Sequence, residues 1–381
     1  MSTEAVVSAI KESVATGMPL RIAGRSAWLD AGRPVRAVKS LSLRDDSGIV
    51  GYVPGDLTLT VRAGTPLSEI ARVTQEHEQW LPLDPYGSSD GTIGATIATG
   101  SAGPLASSFG LPRDLLLGLE FGNGRGEVVR GGGKVVKNVA GFDLSRLLTG
   151  SWGTLGVITE VTLRLYALPS ADRTFAIALS GSEKEIASLV RAIVVSPLTP
   201  YALQLLNPPA ARSLGLGEHS VCLIRFGGND AVVRSQVNAL SHIARLEEKE
   251  TAIWTRLRQL DGGAHTTIRI VSLPLRFLAT SARILADDIP GICTCIDPHR
   301  GVLRIVVGAD GENGDGGGAA AIGGSVDFHG GGIGSSEVIF EKLPPEVWSA
   351  VSPSVVSDGL SQGVKRAFDP HNILNPGILG D

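Results

Sequence analysis

The sequence predicts an α+β chain of about two domains, and three observations carry that prediction. Its 381 residues exceed the length of one ordinary domain. Short apolar strands alternate with helices of apolar 3.6-residue spacing along most of the chain. Between 165 and 175 this pattern stops and restarts, with Pro169 opening a short linker. The division expected is 1–170, 171–365 and a C-terminal segment, 366–381.

Composition narrows the partners. The chain is 43% hydrophobic and 19% charged, with a formal net charge of -4. Basic residues are scattered and offset by acids, so no nucleic-acid groove is expected. There are three cysteines, Cys222, Cys293 and Cys295. An odd number, two of them in a C-T-C arrangement, reads as reduced thiols rather than a disulfide framework. No C-x-x-C pair is present to hold zinc or an iron–sulfur cluster. Met1-Ser2-Thr3-Glu4 begins an acidic, then apolar, helix pattern, so no secretory leader is expected. No apolar run reaches the ~18–20 residues that span a bilayer. The location expected is cytoplasmic.

Taken in order, Val6, Val7, Ile10 and Val14 stand at helical spacing, and Gly17 ends that helix. Residues 19–23 read as a buried strand running into Gly24-Arg25-Ser26-Ala27-Trp28. That loop is a candidate anion cradle of backbone N–H groups with Arg25 adding charge, or a plain connection. Strands follow at 49–53 and 57–63, separated by a Pro-Gly turn. Thr65 as N-cap and Pro66 as first helical residue open the next helix. Residues 81–85 are extended by their prolines.

The run 86–103 is almost entirely small, with hydroxyls among glycines: Gly87, Thr92, Gly94, Thr99, Gly100, Ser101 and Gly103. Such a run suits a backbone packed against a flat, phosphate-bearing ligand. A surface loop of Ser, Thr and Gly is the competing reading. The interleaved Ile93, Ile97 and Ala98 imply burial and favour the ligand.

A strand at 115–121 leads to the stretch 131–162, around which the chain is organised. It contains Lys137-Asn138-Val139-Ala140-Gly141-Phe142-Asp143, a short amphipathic helix, the turn Gly150-Ser151-Trp152-Gly153-Thr154-Leu155-Gly156, and a strand from Val157. The glycines allow either a tight turn or a close approach to a ligand. Beyond the 169–174 linker, a strand starts at Phe175. Helices are expected at 183–195 and 231–250, and strands at 221–226, 268–273 and 302–307. Residues 308–334 are glycine-rich and read as a flexible loop. The end, Asp369-Pro370-His371-Asn372-Ile373-Leu374-Asn375-Pro376-Gly377, is turn-rich.

Four blocks thus stand in sequence: the first glycine loop, T-I-G-A, K-N-V-A-G-F-D with G-S-W-G-T-L-G-V-I-T-E, and D-P-H-N-I-L-N-P-G. Together they resemble the FAD-linked oxidases of the p-cresol methylhydroxylase and vanillyl-alcohol oxidase type. Among these, the chain most resembles the smaller FAD-binding subunit of bacterial glycolate oxidase. The resemblance covers about 18–168 and the last dozen residues, and the 131–162 block carries it most specifically.

The resemblance implies an FAD-binding domain of two α/β subdomains, a second α+β cap domain, and a C-terminal segment returning to the first. It places Gly24, Arg25 and Ser26 in the first pyrophosphate loop. Gly87, Thr92, Ile93, Gly94 and Ala95 would take the second diphosphate and ribityl contacts. Thr99, Gly100, Ser101, Ala102 and Gly103 would lie near the flavin ring. Gly153, Val157 and Ile158 would offer backbone, the last two to the adenine side, and Asn375 would return towards the flavin. The first loop has no histidine of the kind that attaches flavin covalently in some members, so FAD is expected to be non-covalent. The larger relatives' histidine-rich metal motif is replaced by Gly-Asp-Gly-Gly at 314–317, and His299 and His329 stand alone, so no metal is expected.

For a 2-hydroxy acid donor, chemistry demands a cation for the carboxylate and a base for the hydroxyl proton. Lys137, Arg113 and Arg146 are the candidate cations, with a surface role favoured for Arg146. Asp143 reads as a turn-orienting residue, and no base is assigned. The function implied is an FAD subunit of a glycolate-oxidising complex, handing electrons to a second flavin oxidase subunit and an iron–sulfur subunit. Through these partners it would be peripheral to the inner membrane face. The alternatives are a stand-alone FAD oxidoreductase of another alcohol or sugar, and a non-catalytic flavin-holding scaffold.

Overall fold

A computed structural model of the chain describes residues 2–88, 90–133, 143–308, 337–351 and 358–380. It divides into two compact units. The first comprises Met1–Gly103, Phe109–Leu168 and Pro345–Asp381; the second comprises Pro104–Ser108 and Pro169–Pro344. The sequence assigned 345–365 to the second domain, whereas Pro345 onward groups with the first unit. Arg33 ties it there. Its guanidinium donates to the carbonyls of Trp348 at 2.8 Å and Val351 at 2.6 Å, and lies 5.0 Å over the Trp348 ring.

In the first unit, α1 (Thr3–Thr16) starts where the Ser2 hydroxyl accepts the Ala5 N–H and stops at Gly17, in the left-handed conformation. It buries Val6 and Ile10. β1 (Leu20–Ala23) pairs in parallel with β2 (Lys39–Ser42). The C-terminal segment also bridges β1: Leu20 N–H donates to Ile373 O at 2.7 Å, and Asn375 N–H to Leu20 O at 3.0 Å.

Next along the chain come β3 (Ile49–Val53), β4 (Thr58–Arg62), α2 (Leu67–Gln75), β5 (Gln79–Trp80) and α3 (Ile93–Thr99). β6 (Leu116–Gly122), β7 (Val128–Gly132), β8 (Val157–Arg164) and β9 (Tyr166–Ala167) follow. Five of these strands form an antiparallel sheet in the order β3-β4-β8-β6-β7, and β5 pairs with β9. β8 is central and buried on both faces along most of its length. Leu59, Val61, Phe121, Val157, Val161 and Leu163 are wholly buried around it. At about 1.5–3 kcal/mol for each buried side chain, this cluster is the main reason the sheet is the unit's rigid frame.

One expectation is corrected here. Thr65 does not cap α2; Pro66 does, because the Thr65 hydroxyl accepts the Gly48 N–H at 3.0 Å and donates to Arg62 O at 2.6 Å. Within the run 86–103, residues 93–99 form a helix. Thr92 caps α3 by accepting the Ala95 N–H, and Gly100 ends it in the left-handed conformation.

The second unit is one antiparallel eight-stranded sheet carrying helices. Its strands are β10 (Ala171–Leu179), β11 (Ala202–Leu206), β12 (Ser220–Gly228), β13 (Glu247–Lys249), β14 (Thr266–Val271), β15 (Ile292–Asp297), β16 (Val302–Val307) and β17 (Glu337–Lys342). Their order is β13-β10-β12-β11-β15-β16-β14-β17. β10 begins inside the expected linker, because Asp172 pairs with Arg225 across the ladder and Arg173 with Glu248. The helix expected over 231–250 ends at Ser241, and Glu247–Lys249 form β13 instead. The glycine-rich loop of 308–334 lies, apart from Gly308, outside the described residues.

Candidate functional site

One cleft in the first unit gathers four stretches of chain. They are β1 with the loop to Leu29, the segment from Pro85 to Ser101, the turn at Trp152 and Gly153 with the start of β8, and the C-terminal Asn375 and Ile378. Its empty space is about 1120 Å³, counting the open mouth.

Backbone hydrogen bonds bring these stretches together. The start of α3 docks on the exit of β4, with Ile93 N–H to Thr65 O at 3.0 Å and Gly94 N–H to Ala63 O at 2.9 Å. Its end holds the turn, with Gly150 N–H to Ile97 O at 3.0 Å and Trp152 N–H to Ala98 O at 2.7 Å. The β1 loop lies against α3 because residue 24 has no side chain. A Cβ at Gly24 would stand 2.4 Å from the Thr92 hydroxyl oxygen.

Asn375 clasps the two sides. Its Oδ1 accepts the Ile22 N–H at 2.7 Å, and its Nδ2 donates to Trp152 O at 2.8 Å. Lys365 strengthens the clasp by donating to Thr154 O at 2.9 Å and to the buried Asp369 carboxylate at 2.7 Å. Asp369 in turn accepts the Ile373 and Leu374 N–H groups.

Trp152 has φ of 54°, an uncommon conformation for a bulky side chain. The conformation aims its ring at Trp28, and the rings stack with centroids 5.9 Å apart and planes at 26°. Gly32 makes room, since a Cβ there would come within 3.1 Å of the Trp152 ring. The indole N–H of Trp28 is buried and has no hydrogen-bond partner in the described chain.

The electrostatics are one-sided. Among the described lining residues the charged side chains are Arg21 and Arg25, and none is Asp, Glu, Lys or His. The Arg21 guanidinium also bonds to Leu29 O. In a chain of net charge -4 this is a locally positive wall. Two guanidiniums, bare backbone, small hydroxyls and an orphan indole N–H fit a flat ligand carrying phosphate groups.

Most residues singled out in the sequence for cofactor contact line this cleft: Gly24, Arg25, Ser26, Gly87, Thr92, Gly94, Ala95, Thr99, Ser101, Gly153, Ile158 and Asn375. Ile93, Gly100, Ala102, Gly103 and Val157 do not. Ile93 and Val157 are buried in the core behind it. Gly156 also lines it, yet its missing side chain serves the core: a Cβ would stand 2.4 Å from Phe121. The candidate cations fare differently. Arg113 is half exposed, 3.9 Å from Asp114, and does not line the cleft. Arg146 is exposed and pairs with Asp143. Lys137 and Asn138 lie outside the described residues. Sequence reasoning missed Arg21, Trp152 and Ile378 as lining residues; the positive-φ turn that aims Trp152 has no signature beyond its flanking glycines.

Comparison with known proteins identifies the ligand class. Residues 1–132 match the family described as FAD binding domain. Glycolate oxidase subunit GlcE of Escherichia coli (strain K12) is 39% identical over 49% of this chain and 53% of its own length. The chain therefore aligns with about half of that relative. Glycolate oxidase subunit GlcD of Bacillus subtilis (strain 168) is 29% identical over 85% of this chain and 75% of its own length. The mitochondrial D-lactate dehydrogenase [cytochrome] of Arabidopsis thaliana is 31% identical over 50% of this chain and 34% of its own. Substrate-bound p-cresol methylhydroxylase shares the fold, with a TM-score of 0.73 and 17% identity over all of this chain and 87% of that one. FAD is flat at both ends with a diphosphate between, which is the ligand the cleft's chemistry fits.

Proposed function

We propose that this chain is an FAD-linked oxidase of the p-cresol methylhydroxylase and vanillyl-alcohol oxidase type, and that it oxidises a small 2-hydroxy acid with FAD held in this cleft. The observation that carries the reading is the charge of the wall, two arginines and no carboxylate among its described residues. The substrate class rests on the relatives: glycolate and lactate, in their names, are both 2-hydroxy acids.

Bound FAD would supply the acceptor for two electrons from the hydroxyl carbon. The chain's own residues would do the holding. Arg21 and Arg25 offset diphosphate charge, and the loop at Gly24 lets backbone approach the ligand. The Asn375 clasp fixes the distance between the β1 loop and the turn at Trp152. FAD would be held non-covalently, as the histidine-free first loop suggests. Lys137, in the most specific block, remains the proposed cation for the substrate carboxylate.

The chain would act as one subunit beside a second flavin oxidase subunit and an iron–sulfur subunit, since it has no C-x-x-C pair. Among the described residues no helix is long and apolar enough to cross a membrane. A cytoplasmic location, with attachment to the inner membrane face through those partners, is part of the proposal. A second reading, a flavin-holding subunit without its own turnover, is favoured by one observation: neither Arg113 nor Arg146 lines the cleft.

The test is the purified chain itself. A flavin absorbance spectrum, with the colour released by heat or acid precipitation, is expected. Anaerobic glycolate or D-lactate should then bleach it. A colourless protein that also fails to bind added FAD would overturn the shared core of both readings. A yellow protein bleached only in the presence of its partner subunits would select the second.

A further inference from the structure

We propose that Trp28 is a cofactor-binding residue whose indole N–H donates a hydrogen bond to the bound flavin dinucleotide. This deepens the FAD reading of the cleft and rests on it. Tryptophan carries one polar hydrogen and accepts nothing, so its N–H has a single means of satisfaction. Buried indole N–H groups ordinarily find an acceptor, and an orphan one calls for a reason. Here the N–H is buried, has no acceptor in the described chain, and belongs to a residue lining the cleft.

The ring is also held where it is. It stacks on Trp152, whose own ring is fixed by the φ of 54° at that residue and by the space Gly32 leaves. A bulky residue in the left-handed region is strained, and such strain is retained where surrounding structure over-determines it, often at ligand sites. Trp28 also closes the loop that begins at Gly24 and turns at Ser26, φ 64°. That loop supplies Arg25 to the same wall. The strained turn, the stack and the orphan donor all belong to residues that line the cleft. FAD brings the missing chemistry, phosphate oxygens and ring nitrogens that accept.

The inference has an unusual sign, which makes it testable. If the N–H is kept for the ligand, removing it should leave the apoprotein equally stable or more stable, because a buried donor without a partner is removed. The same change should weaken FAD binding. Trp28→Phe keeps an aromatic ring against Trp152 and removes the donor. Replacing Trp28 by its sulfur isostere, benzothienylalanine, removes the N–H and keeps the ring size. Each is stripped of flavin and titrated with FAD, and the thermal midpoint of each apoprotein is recorded.

The expected result is an apo midpoint at or above that of the unaltered chain, with FAD affinity lowered about tenfold to a hundredfold, the range for a bond to a charged acceptor. The isostere should reproduce the affinity loss. An isostere that binds FAD as tightly as the unaltered chain would overturn the assignment, as would an affinity loss seen in Trp28→Phe alone. If the unaltered apoprotein does not take up FAD, the FAD reading itself falls, and this inference with it.

Discussion

Asn375 offers the sharpest quantitative test of how the cleft is held. Its side chain makes two bonds to main chain far away in sequence, from Ile22 N–H at 2.7 Å and to Trp152 O at 2.8 Å. The residue is 4% exposed and sits at φ 45°. Asn375→Ala deletes both bonds. Where water reaches the freed groups the loss is about 1 kcal/mol each, and where it does not, up to about 3 kcal/mol each. Alanine in the left-handed region adds about 1–2 kcal/mol. The sum is about 3–8 kcal/mol against the 5–15 kcal/mol that stabilises a typical domain. Asn375→Asp is the finer probe. It tolerates the same backbone conformation and keeps the acceptor for Ile22, yet places a carboxylate oxygen against the Trp152 carbonyl.

Urea unfolding followed by tryptophan fluorescence reads both variants, since Trp28 and Trp152 stand at the clasp. The expected order of midpoints is wild type, then Asp, then Ala, with the first unit of the alanine variant largely unfolded without FAD. Saturating FAD should restore part of the loss, about 2.7 kcal/mol at a hundred times Kd. An alanine variant that unfolds within 0.5 M urea of the wild type, an approximate threshold given slopes of about 1–3 kcal/mol per molar, would refute the clasp.

Three further outcomes are expected. Gly156→Val should lower the thermal midpoint of the apoprotein, because a Cβ 2.4 Å from the buried Phe121 ring overpacks the core by about 1–3 kcal/mol or more; an unchanged midpoint with reduced flavin content would point to ligand contact instead. In the second unit, burial would raise the Glu341 carboxyl, but Arg304 and Arg269 outweigh it and hold it below the usual range. A depressed folded pKa stabilises above the unfolded value and is lost as pH falls through the folded one. Acid unfolding of that unit should therefore steepen below about pH 4.5, the ordinary glutamate value, and Glu341→Gln should flatten this limb while costing about 3–5 kcal/mol at neutral pH by leaving Arg304 under-compensated. Burial pushes the Cys222 and Cys295 thiols up to about 12, so a thiol reagent at pH 8 should label at most Cys293 until denaturant is added, with all three reacting thereafter.

How far the sequence could be read depended on where each residue's partner lies. α1 was legible because its apolar spacing, Ser2 cap and Gly17 stop are local. The strands around β8 were legible because short runs rich in Val, Ile, Leu and Thr next to glycine or proline turns are a local strand signal. α3 was not, because its composition of Ile, Gly, Ala and Thr reads as loop. Its caps, Thr92 and Gly100, were visible but unweighted. Thr65 was misread because a hydroxyl before a helix is ambiguous until its neighbours are known; here Gly48 and Arg62 take it. The early start of β10 was hidden because charged residues on a strand look like linker unless Arg225 and Glu248 stand opposite.

The same distinction separates the two kinds of glycine in the stretch that organises the chain. Gly153 has φ of 71° and lies where a Cβ would press on Asn375, so it serves the turn and the clasp. Gly156 serves the Phe121 ring in the core. In both places a Cβ would meet protein, and both residues line the cleft. The position of the turn is set by what these glycines let pack behind it: the start of β8 against Phe121 of β6, and Asn375 against the turn. A stretch this rich in glycine shapes the cleft by bringing protein close to protein. The cleft's two arginines and its unpartnered indole N–H come instead from β1 and the loop after it, through Arg21, Arg25 and Trp28.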